Sequence, residues 1–259
     1  MRSFCFTIDD NIRFLKEISA ARPKSIFDHP YTAMLLRLHR KFGVKVQLNL
    51  FYRMEGFTLA DACADYAEEW RAASDWLRLS FHSEIENERP YEFSGYDEVR
   101  ADLDAVNREI LRFASSESLA RTTTVHYCRA TADGLRALSD GGVVGLLGLF
   151  GDENAPRTSY GLSEDEASFA RRGEVVRSGE LSFASIDTIV NNVGSEALDG
   201  AIERLLGRGS VRVMIHEQYF YEDYPRYQPD FEEKLDRIFA ALCARGYESR
   251  FFEEIIGGI

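Results

Sequence analysis

Short apolar segments alternate with helical patterns along most of the chain, and this alternation limits the folds that it can adopt more than any other feature. The predicted strands cover residues 3-9, 44-51, 76-82, 122-128, 143-149 and 211-216, with a last one near 248-252. The predicted helices lie between them, and the clearest cover residues 31-42, 58-74, 96-114, 131-140, 195-206 and 229-245. Such alternation is typical of β-α units around a parallel sheet. About seven strands predict a closed or nearly closed α/β barrel with its active residues at the carboxyl ends of the strands.

Residues 151-193 interrupt this alternation. They are rich in Gly, Ser, Glu and Arg, and they contain short alternating runs such as Leu181-Ser182-Phe183. This pattern indicates hairpins rather than a helix. We therefore predict an excursion from the barrel that could shape the mouth of a pocket.

Length, charge and cysteine content restrict the class of protein. A chain of 259 residues can bury one large core, so we interpret residues 1-259 as a single domain. The 43 acidic and 31 basic residues give a net charge of -12, which argues against nucleic acid or a membrane as a partner but not against a neutral or amine-bearing sugar. The sequence shows no signal peptide and no apolar run of ~20 residues, and its four scattered cysteines resemble reduced core residues. These features predict a soluble, cytoplasmic protein and leave the number of subunits open.

Asp9 and Asp10 stand at the end of the first apolar run, Phe4-Cys5-Phe6-Thr7-Ile8. Two carboxylates at the carboxyl end of a buried strand lie where an α/β fold carries its chemistry. One of them could bind a metal while the other takes a proton. The alternative is an ordinary turn or helix cap, because Asp and Asn are common in both.

His82 and Glu86 form a second candidate pair, directly after a predicted strand. If the chain turns helically here, residues four apart face the same side, so both side chains could reach one ion. Together with Asp10 they would supply three ligands and leave positions for water and substrate, as a catalytic metal site requires. The alternative is a solvated acidic loop over residues 84-88.

Three of the five histidines, His82, His126 and His216, lie at or near the ends of predicted strands. His216 follows a buried-type strand, and an imidazole there could protonate a leaving amine or alkoxide. Arg129 follows the strand at 122-128 and could keep a buried aspartate ionised through a charge-assisted pair. A salt bridge without catalytic meaning is an equal alternative for Arg129.

These residues, in this order, resemble the polysaccharide deacetylase family, also called carbohydrate esterase family four. Phe6-Thr7-Ile8-Asp9-Asp10 is similar to the family's T-F-D-D motif, and Phe81-His82-Ser83-Glu84-Ile85-Glu86 to its H-S/T-x-x-H motif. Met214-Ile215-His216 resembles the L-x-H motif, and Arg129 matches the arginine of the R-P-P-Y motif. The likeness spans nearly the whole chain. It implies a distorted (β/α)7-8 barrel of the glycoside hydrolase and deacetylase type.

The resemblance also implies roles for individual residues. Asp9 would be the catalytic base, Asp10 and His82 metal ligands, His216 the general acid, and Arg129 the residue that holds Asp9. The chain departs from the family where Glu86 replaces the second histidine, so the third ligand is Glu86, with His126 in reserve. The aspartate that tethers the family's acid histidine has no clear counterpart, and Asp152 is a weak candidate.

The implied activity is the metal-dependent hydrolysis of an acyl group, taken as N-acetyl, on a carbohydrate or related small substrate. The broken bond would be a non-peptide carbon-nitrogen bond, although an ester is also open. The cofactor would be a divalent metal, zinc first, with manganese, cobalt or nickel as alternatives.

Two other functions fit the same sequence. Asp9, Glu86 and other carboxylates could serve a glycosidase as acid and nucleophile or base. The barrel could also be a degenerate protein that binds a carbohydrate or a partner protein without catalysis. Bound metal at Asp10 would argue against the glycosidase, whereas a protein without stoichiometric metal would favour the non-catalytic function.

The segment 217-227 follows His216 and is dense in aromatic residues. Rings with polar groups could stack on the faces of a sugar beside the strand end. They could equally pack the loop against the core.

Overall fold

The computed structural model describes residues 2–86, 88, 91–151 and 159–257. Twelve strands in this part of the chain form three sheets. Their bounds are Ser3–Asn11 (β1), Val46–Phe51 (β2), Arg53–Met54 (β3), Phe57–Thr58 (β4), Leu77–Ser83 (β5), Thr122–Thr123 (β6), Gly145–Gly148 (β7), Val176–Ser178 (β8), Leu181–Ser185 (β9), Thr188–Ile189 (β10), Ser210–His216 (β11) and Glu248–Ser249 (β12).

Nine α-helices accompany these strands in the described residues. Their bounds are Arg13–Ala21 (α1), Pro30–Phe42 (α2), Ala67–Ala73 (α3), Tyr96–Phe113 (α4), Ala132–Asp140 (α5), Glu164–Arg171 (α6), Leu198–Leu206 (α7), Phe231–Ala244 (α8) and Phe252–Ile256 (α9). None of the described helices combines the length and the apolar composition that crossing a bilayer requires.

Strand β1 lies in the middle of the main sheet, which has the order β10-β11-β1-β2-β5, and β12 also pairs with β1. All strand pairs in this sheet are parallel. Every residue of β1 except Asp10 is buried, because this strand is covered on both faces. Since the strands are parallel, the carboxyl ends of β1, β2, β5 and β11 meet at one edge of the sheet. That edge carries the candidate site.

A second sheet, β6-β7-β9-β8, continues the main sheet on one side. Leu79 in β5 bridges to Leu119, shortly before β6, and β9 leads directly into β10 of the main sheet on the other side. Strands β6, β7 and β9 are parallel, while β8 pairs antiparallel with β9. The architecture is therefore the α/β fold with parallel strands that the sequence predicts.

Aromatic side chains fix β1 against helix α8. The ring of Phe4 stacks on Phe239 at 5.6 Å between centroids, and Phe6 meets the same ring edge-on at 5.0 Å. All three side chains are buried. Burial of such a side chain stabilises a fold by roughly 1.5–3 kcal/mol, and an aromatic pair adds about 0.5–1.5 kcal/mol. This packing holds the strand that ends in the two aspartates.

The predicted helix at 58-74 is wrong in its first half. Thr58 belongs to β4 and begins a single 3-10 turn, in which the Asp61 carboxylate accepts the Thr58 backbone N–H at 2.9 Å. This local capping closes the turn, so the helix starts again only at α3. Helix α1 was not predicted at all, although it follows the aspartate pair directly.

The prediction that residues 151-193 form hairpins outside the barrel is only partly confirmed. The hairpin β8–β9 is present, but β9 also pairs in parallel with β7 and so belongs to the wall of the fold. The expectation of no helix is wrong over α6, where Ser163 and Glu166 form a capping box. The candidate tether Asp152 lies outside the described residues.

Candidate metal centre and active site

Three side chains converge at the carboxyl edge of the main sheet: Asp10 at the end of β1, His82 at the end of β5, and His126 in the 3-10 turn after β6. His82 Nε2 lies 3.1 Å from Asp10 Oδ1 and 3.1 Å from His126 Nδ1, and the remaining pair is 3.5 Å apart. A tetrahedral ion with ligand bonds of about 2.0–2.1 Å separates its ligands by about 3.3 Å. The three atoms therefore match the spacing that a metal such as zinc needs.

The backbone at this cluster adopts conformations that favour glycine. Asp10 has φ +63°, and the turn that carries His126 continues through Tyr127 at φ +62° and Cys128 at φ +56°. The pairing of β1 with β2 also shifts register between Ile8 and Asn11. Non-glycine residues held in this region cost about 1–3 kcal/mol each, and such strain concentrates at functional sites.

Hydrogen bonds fix which ring nitrogen of His82 faces the cluster. The Thr124 carbonyl accepts a hydrogen bond from Nδ1–H of His82, so Nε2 is left without a proton in the neutral ring and can bind a cation. The side chains of His82 and His126 are both largely excluded from solvent. The ring is thus held in the tautomer that a metal ligand requires.

The cluster carries negative charge that would stabilise a cation. Burial works against ionisation of Asp10, but without a metal the hydrogen bond from the protonated ring of His82 and the nearby positive charge of His216 hold the pKa of Asp10 well below its usual range. Burial opposes protonation of His82 too, yet the charges of Asp9 and Asp10 outweigh it and raise the pKa of His82. Burial and the neighbouring His82 lower the pKa of His126 to about 3, which keeps that ring neutral and able to donate electrons.

Glu86 lies outside the group of three ligand atoms, although it lines the same cavity. The prediction that it shares an ion with His82 required a helical turn after the strand. Instead β5 extends to Ser83, and residues 84–86 form a bend. Within the described residues, His126 occupies the position that the sequence analysis gave to Glu86.

Asp9 is buried beside the ligand group, with 2% of its surface exposed. Asn49 in β2 donates a hydrogen bond to Asp9 Oδ1 at 2.7 Å, and Gln47 in turn donates to Asn49 at 2.8 Å. Burial raises the pKa of the Asp9 carboxyl, and the positive charges of His82 and His216 only partly offset this. A carboxylate with a raised pKa is a stronger base than an exposed one.

Arg129 does not hold Asp9 in this structure. Its guanidinium pairs with Glu92, and 47% of the side chain is exposed. The hydrogen bond that the sequence analysis assigned to Arg129 is made by Asn49 instead. For Arg129, the described contacts favour the surface salt bridge.

His216 ends β11 and is held by Asn191, which lies in a 3-10 turn after β10. The Asn191 side-chain oxygen accepts both the ring Nδ1–H at 2.9 Å and the backbone N–H of His216 at 3.2 Å. This leaves Nε2 of His216 for proton transfer. The family resemblance implies an aspartate as the tether, so this amide was not predicted from the sequence.

The side chains surround a cavity of about 330 Å3. Its wall contains the three ligand candidates together with Asp9, Glu86, His216 and Tyr219. A second cavity of about 370 Å3 lies on the other side of Asp10, Glu86 and Gln218, which line both. His29 and His39 take no part, since His29 pairs with Glu17 and His39 stacks on Trp76, as expected for structural residues.

Comparisons with known proteins identify the fold. No protein-family model matches the sequence, and no curated protein sequence matches it. Among solved structures, 4-alpha-glucanotransferase from Thermococcus litoralis matches with a TM-score of 0.64 and 13% identity, covering 100% of this chain. The chain spans only 40% of the length of that enzyme.

Two esterase structures match along most of their own length as well. The family 4 acetyl xylan esterase from Clostridium thermocellum, in complex with a cobalt ion, has a TM-score of 0.54 and 13% identity, with 99% of this chain and 91% of the esterase covered. The family 4 carbohydrate esterase from Streptomyces lividans, in complex with acetate, has a TM-score of 0.53 and 13% identity, with 96% and 91% covered. These matches confirm, at the level of the fold, the resemblance predicted from the sequence.

Proposed function

We propose that this chain is a divergent member of the polysaccharide deacetylase family, a metal-dependent hydrolase that removes an acyl group from a carbohydrate or a related small substrate. The observation that carries this proposal is the convergence of Asp10 Oδ1, His82 Nε2 and His126 Nδ1 within 4.8 Å of one another. Asp9 and His216 line the same cavity and supply the proton-transfer groups that hydrolysis needs.

The ligand set of the proposal is one carboxylate oxygen and two imidazole nitrogens. These donors suit zinc, and they also admit manganese, cobalt or nickel. Three protein ligands leave coordination positions open, which is the arrangement of catalytic rather than structural metal sites. The cobalt ion in the acetyl xylan esterase supports a divalent metal in a fold of this kind.

When bound, the metal would polarise the acyl carbonyl and make a water molecule more acidic. Asp9 would take the proton from that water. Its raised pKa favours this role, and the hydrogen bond from Asn49 fixes the orientation of the carboxylate. Asp9 is thus the proposed base.

His216 would return a proton to the departing nitrogen or oxygen of the sugar. The hydrogen bond from Nδ1–H to Asn191 orients the ring, so that Nε2 is the atom that transfers the proton. An amide is the proposed bond, because an amine leaving group needs the proton most.

The proposed substrate is a carbohydrate with an acetyl or similar acyl group. The cavity of about 330 Å3 has the size of a small-ligand site, and Tyr219 beside His216 offers a ring face for a sugar. The acetate in the esterase from Streptomyces lividans supports an acyl product in this fold. The single domain and the cytoplasmic location remain predictions.

Metal analysis combined with product analysis tests the function. Purified protein should contain or acquire one metal ion per chain and release acetate from N-acetylated sugars, with a free amine as the second product. New reducing ends without acetate would favour a glycosidase instead. Sugar binding without stoichiometric metal and without either product would favour the non-catalytic binding protein.

A further inference from the structure

Asp10 needs support from outside its own strand. It has φ +63° at the point where the register between β1 and β2 shifts. The left-handed conformation costs a non-glycine residue roughly 1–2 kcal/mol, so it persists only where neighbouring contacts determine it. Two residues directly after His216 supply such contacts.

The first of these residues is Glu217, which is 1% exposed. Its carboxylate accepts the backbone N–H groups of Ile12 at 2.7 Å, Arg13 at 3.1 Å and Phe14 at 2.7 Å. The residue before helix α1 has no side-chain cap of its own. Glu217, in the 3-10 turn that follows β11, therefore caps this helix from about 200 residues away and fixes the backbone shortly after Asp10.

The second residue is Gln218, which contacts the Asp10 carboxylate directly. Its amide nitrogen Nε2 donates to Asp10 Oδ2 at 2.7 Å, while Asp10 Oδ1 faces the two histidines. Because a carboxylate only accepts hydrogen bonds, the nitrogen of the amide must face Asp10. The opposite amide oxygen, Oε1, is buried and has no hydrogen-bond partner among the described residues, although Gln218 lines both cavities. That oxygen is left to accept a hydrogen bond from a molecule bound in the cleft.

We propose that Glu217 and Gln218 are positioning residues that hold Asp10 in its ligand conformation, Glu217 through the backbone and Gln218 through the unused carboxylate oxygen. The affinity for metal would then depend on the 3-10 turn that directly follows the proposed acid His216. This inference rests on the metal centre of the proposed function and not on its reaction. Outer hydrogen bonds of this kind are commonly worth 10- to 100-fold in metal affinity.

Metal titrations of Gln218→Met and Gln218→Asn test the proposal. Methionine keeps the length of the side chain and removes the donor, whereas asparagine keeps the amide and shortens its reach. We expect the Kd for Zn²⁺ and Co²⁺ to rise about 10- to 100-fold in both variants. The visible absorption spectrum of the Co²⁺ protein should also change, because the Asp10 carboxylate is free to rotate.

Gln228→Met is the matched control. Gln228 lies ten residues after Gln218, and its amide donates to the Asn191 carbonyl at 2.7 Å rather than to a ligand. The Kd of this variant for Zn²⁺ and Co²⁺ and its Co²⁺ spectrum should equal those of the wild type.

Glu217→Gln should weaken metal binding as well, since an amide cannot accept all of the hydrogen bonds that Glu217 receives. If this variant fails to fold, the two Gln218 variants still decide the question.

An unchanged Kd and an unchanged Co²⁺ spectrum in both Gln218 variants would overturn the proposal. A wild-type protein that binds no metal would overturn it too, together with the proposed function. A wild-type protein that binds metal but releases no acyl group would refute only the proposed function, and the titrations would still decide the role of Gln218.

Discussion

Asp9 and His216 lie directly opposite each other in the register of the parallel strands β1 and β11. The pairs Phe6 with Val213 and Ile8 with Ile215 are buried and apolar, so a slip by one residue would turn these side chains to the opposite face of the sheet. The apolar pattern of the two strands thus fixes the spacing between the proposed base and the proposed acid. Strand spacing alone keeps their backbones about 5 Å apart.

Asp10→Ala and Asp9→Asn should separate metal binding from proton transfer. Loss of Asp10 removes a ligand, so we expect affinity for Zn²⁺ to fall by more than the roughly 100-fold that an outer hydrogen bond can cost. Asp9→Asn keeps the shape and the contact with Asn49 but removes the base, so kcat should fall by about 10²–10⁴ with metal still bound. Calorimetry and acetate release measure the two effects. Tight metal binding by Asp10→Ala would contradict the ligand assignment.

His126→Ala and Glu86→Ala test which residue is the third ligand. His126 Nδ1 lies 3.1 Å from His82 Nε2, whereas Glu86 is outside the ligand group. We therefore expect His126→Ala to lose metal and Glu86→Ala to bind it with a Kd close to that of the wild type. Metal content after dialysis gives a direct reading. The opposite result would restore the assignment made from the sequence.

Part of the site was predictable because four of its residues lie at the carboxyl ends of buried strands. The positions of Asp9, Asp10, His82 and His216 after apolar runs are enough to bring them to one edge of a parallel sheet. His126 was harder to assign. The strand predicted at residues 122-128 is only two residues long in the structure, and a turn with left-handed residues carries the His126 ring into the site.

The tethers were not predictable from the sequence, because they depend on side chains that meet only in the folded chain. Asn49 lies inside β2, where a polar residue could have served any neighbour. Asn191 lies in a segment whose sequence pattern indicated hairpins. In both cases an amide performs the role for which the sequence analysis sought a charged residue.

Asn191→Ala should slow proton transfer without affecting the metal. The variant removes the acceptor that orients the ring of His216, so kcat should fall by about tenfold or more, within the range that a general acid contributes. KM and the Kd for Zn²⁺ should stay near their wild-type values. Glu196→Ala, at an exposed position in the following turn, is the control and should leave kcat unchanged. Equal kcat values in the two variants would remove Asn191 from the mechanism.

Glu217 should make the stability of the metal-free protein depend on pH. Burial raises the pKa of Glu217 to about 7, although the hydrogen bonds from Tyr221 and the start of α1 act in the opposite direction. The other ionisable groups that face it are the hydroxyls of Tyr31 and Tyr221, whose pKa values burial raises well above neutral, so neither changes charge in this range.

The sign of the effect follows from proton binding. Unfolded Glu217 releases its proton near its ordinary pKa of 4.5, whereas the folded protein holds the proton up to about pH 7. Between these values the folded state binds more protons, so the free energy of unfolding should fall as pH rises, by up to about 3 kcal/mol, and level off above pH 7. Urea denaturation in the presence of a chelator, at pH 5, 6, 7 and 8, measures the slope. In Glu217→Gln the free energy of unfolding should lack this part of its dependence on pH. Because both proteins contain the same histidines, subtracting one pH dependence from the other removes the contribution of the histidines. If the free energy of unfolding of the two proteins depends on pH in the same way, Glu217 is already ionised in the folded protein at pH 5.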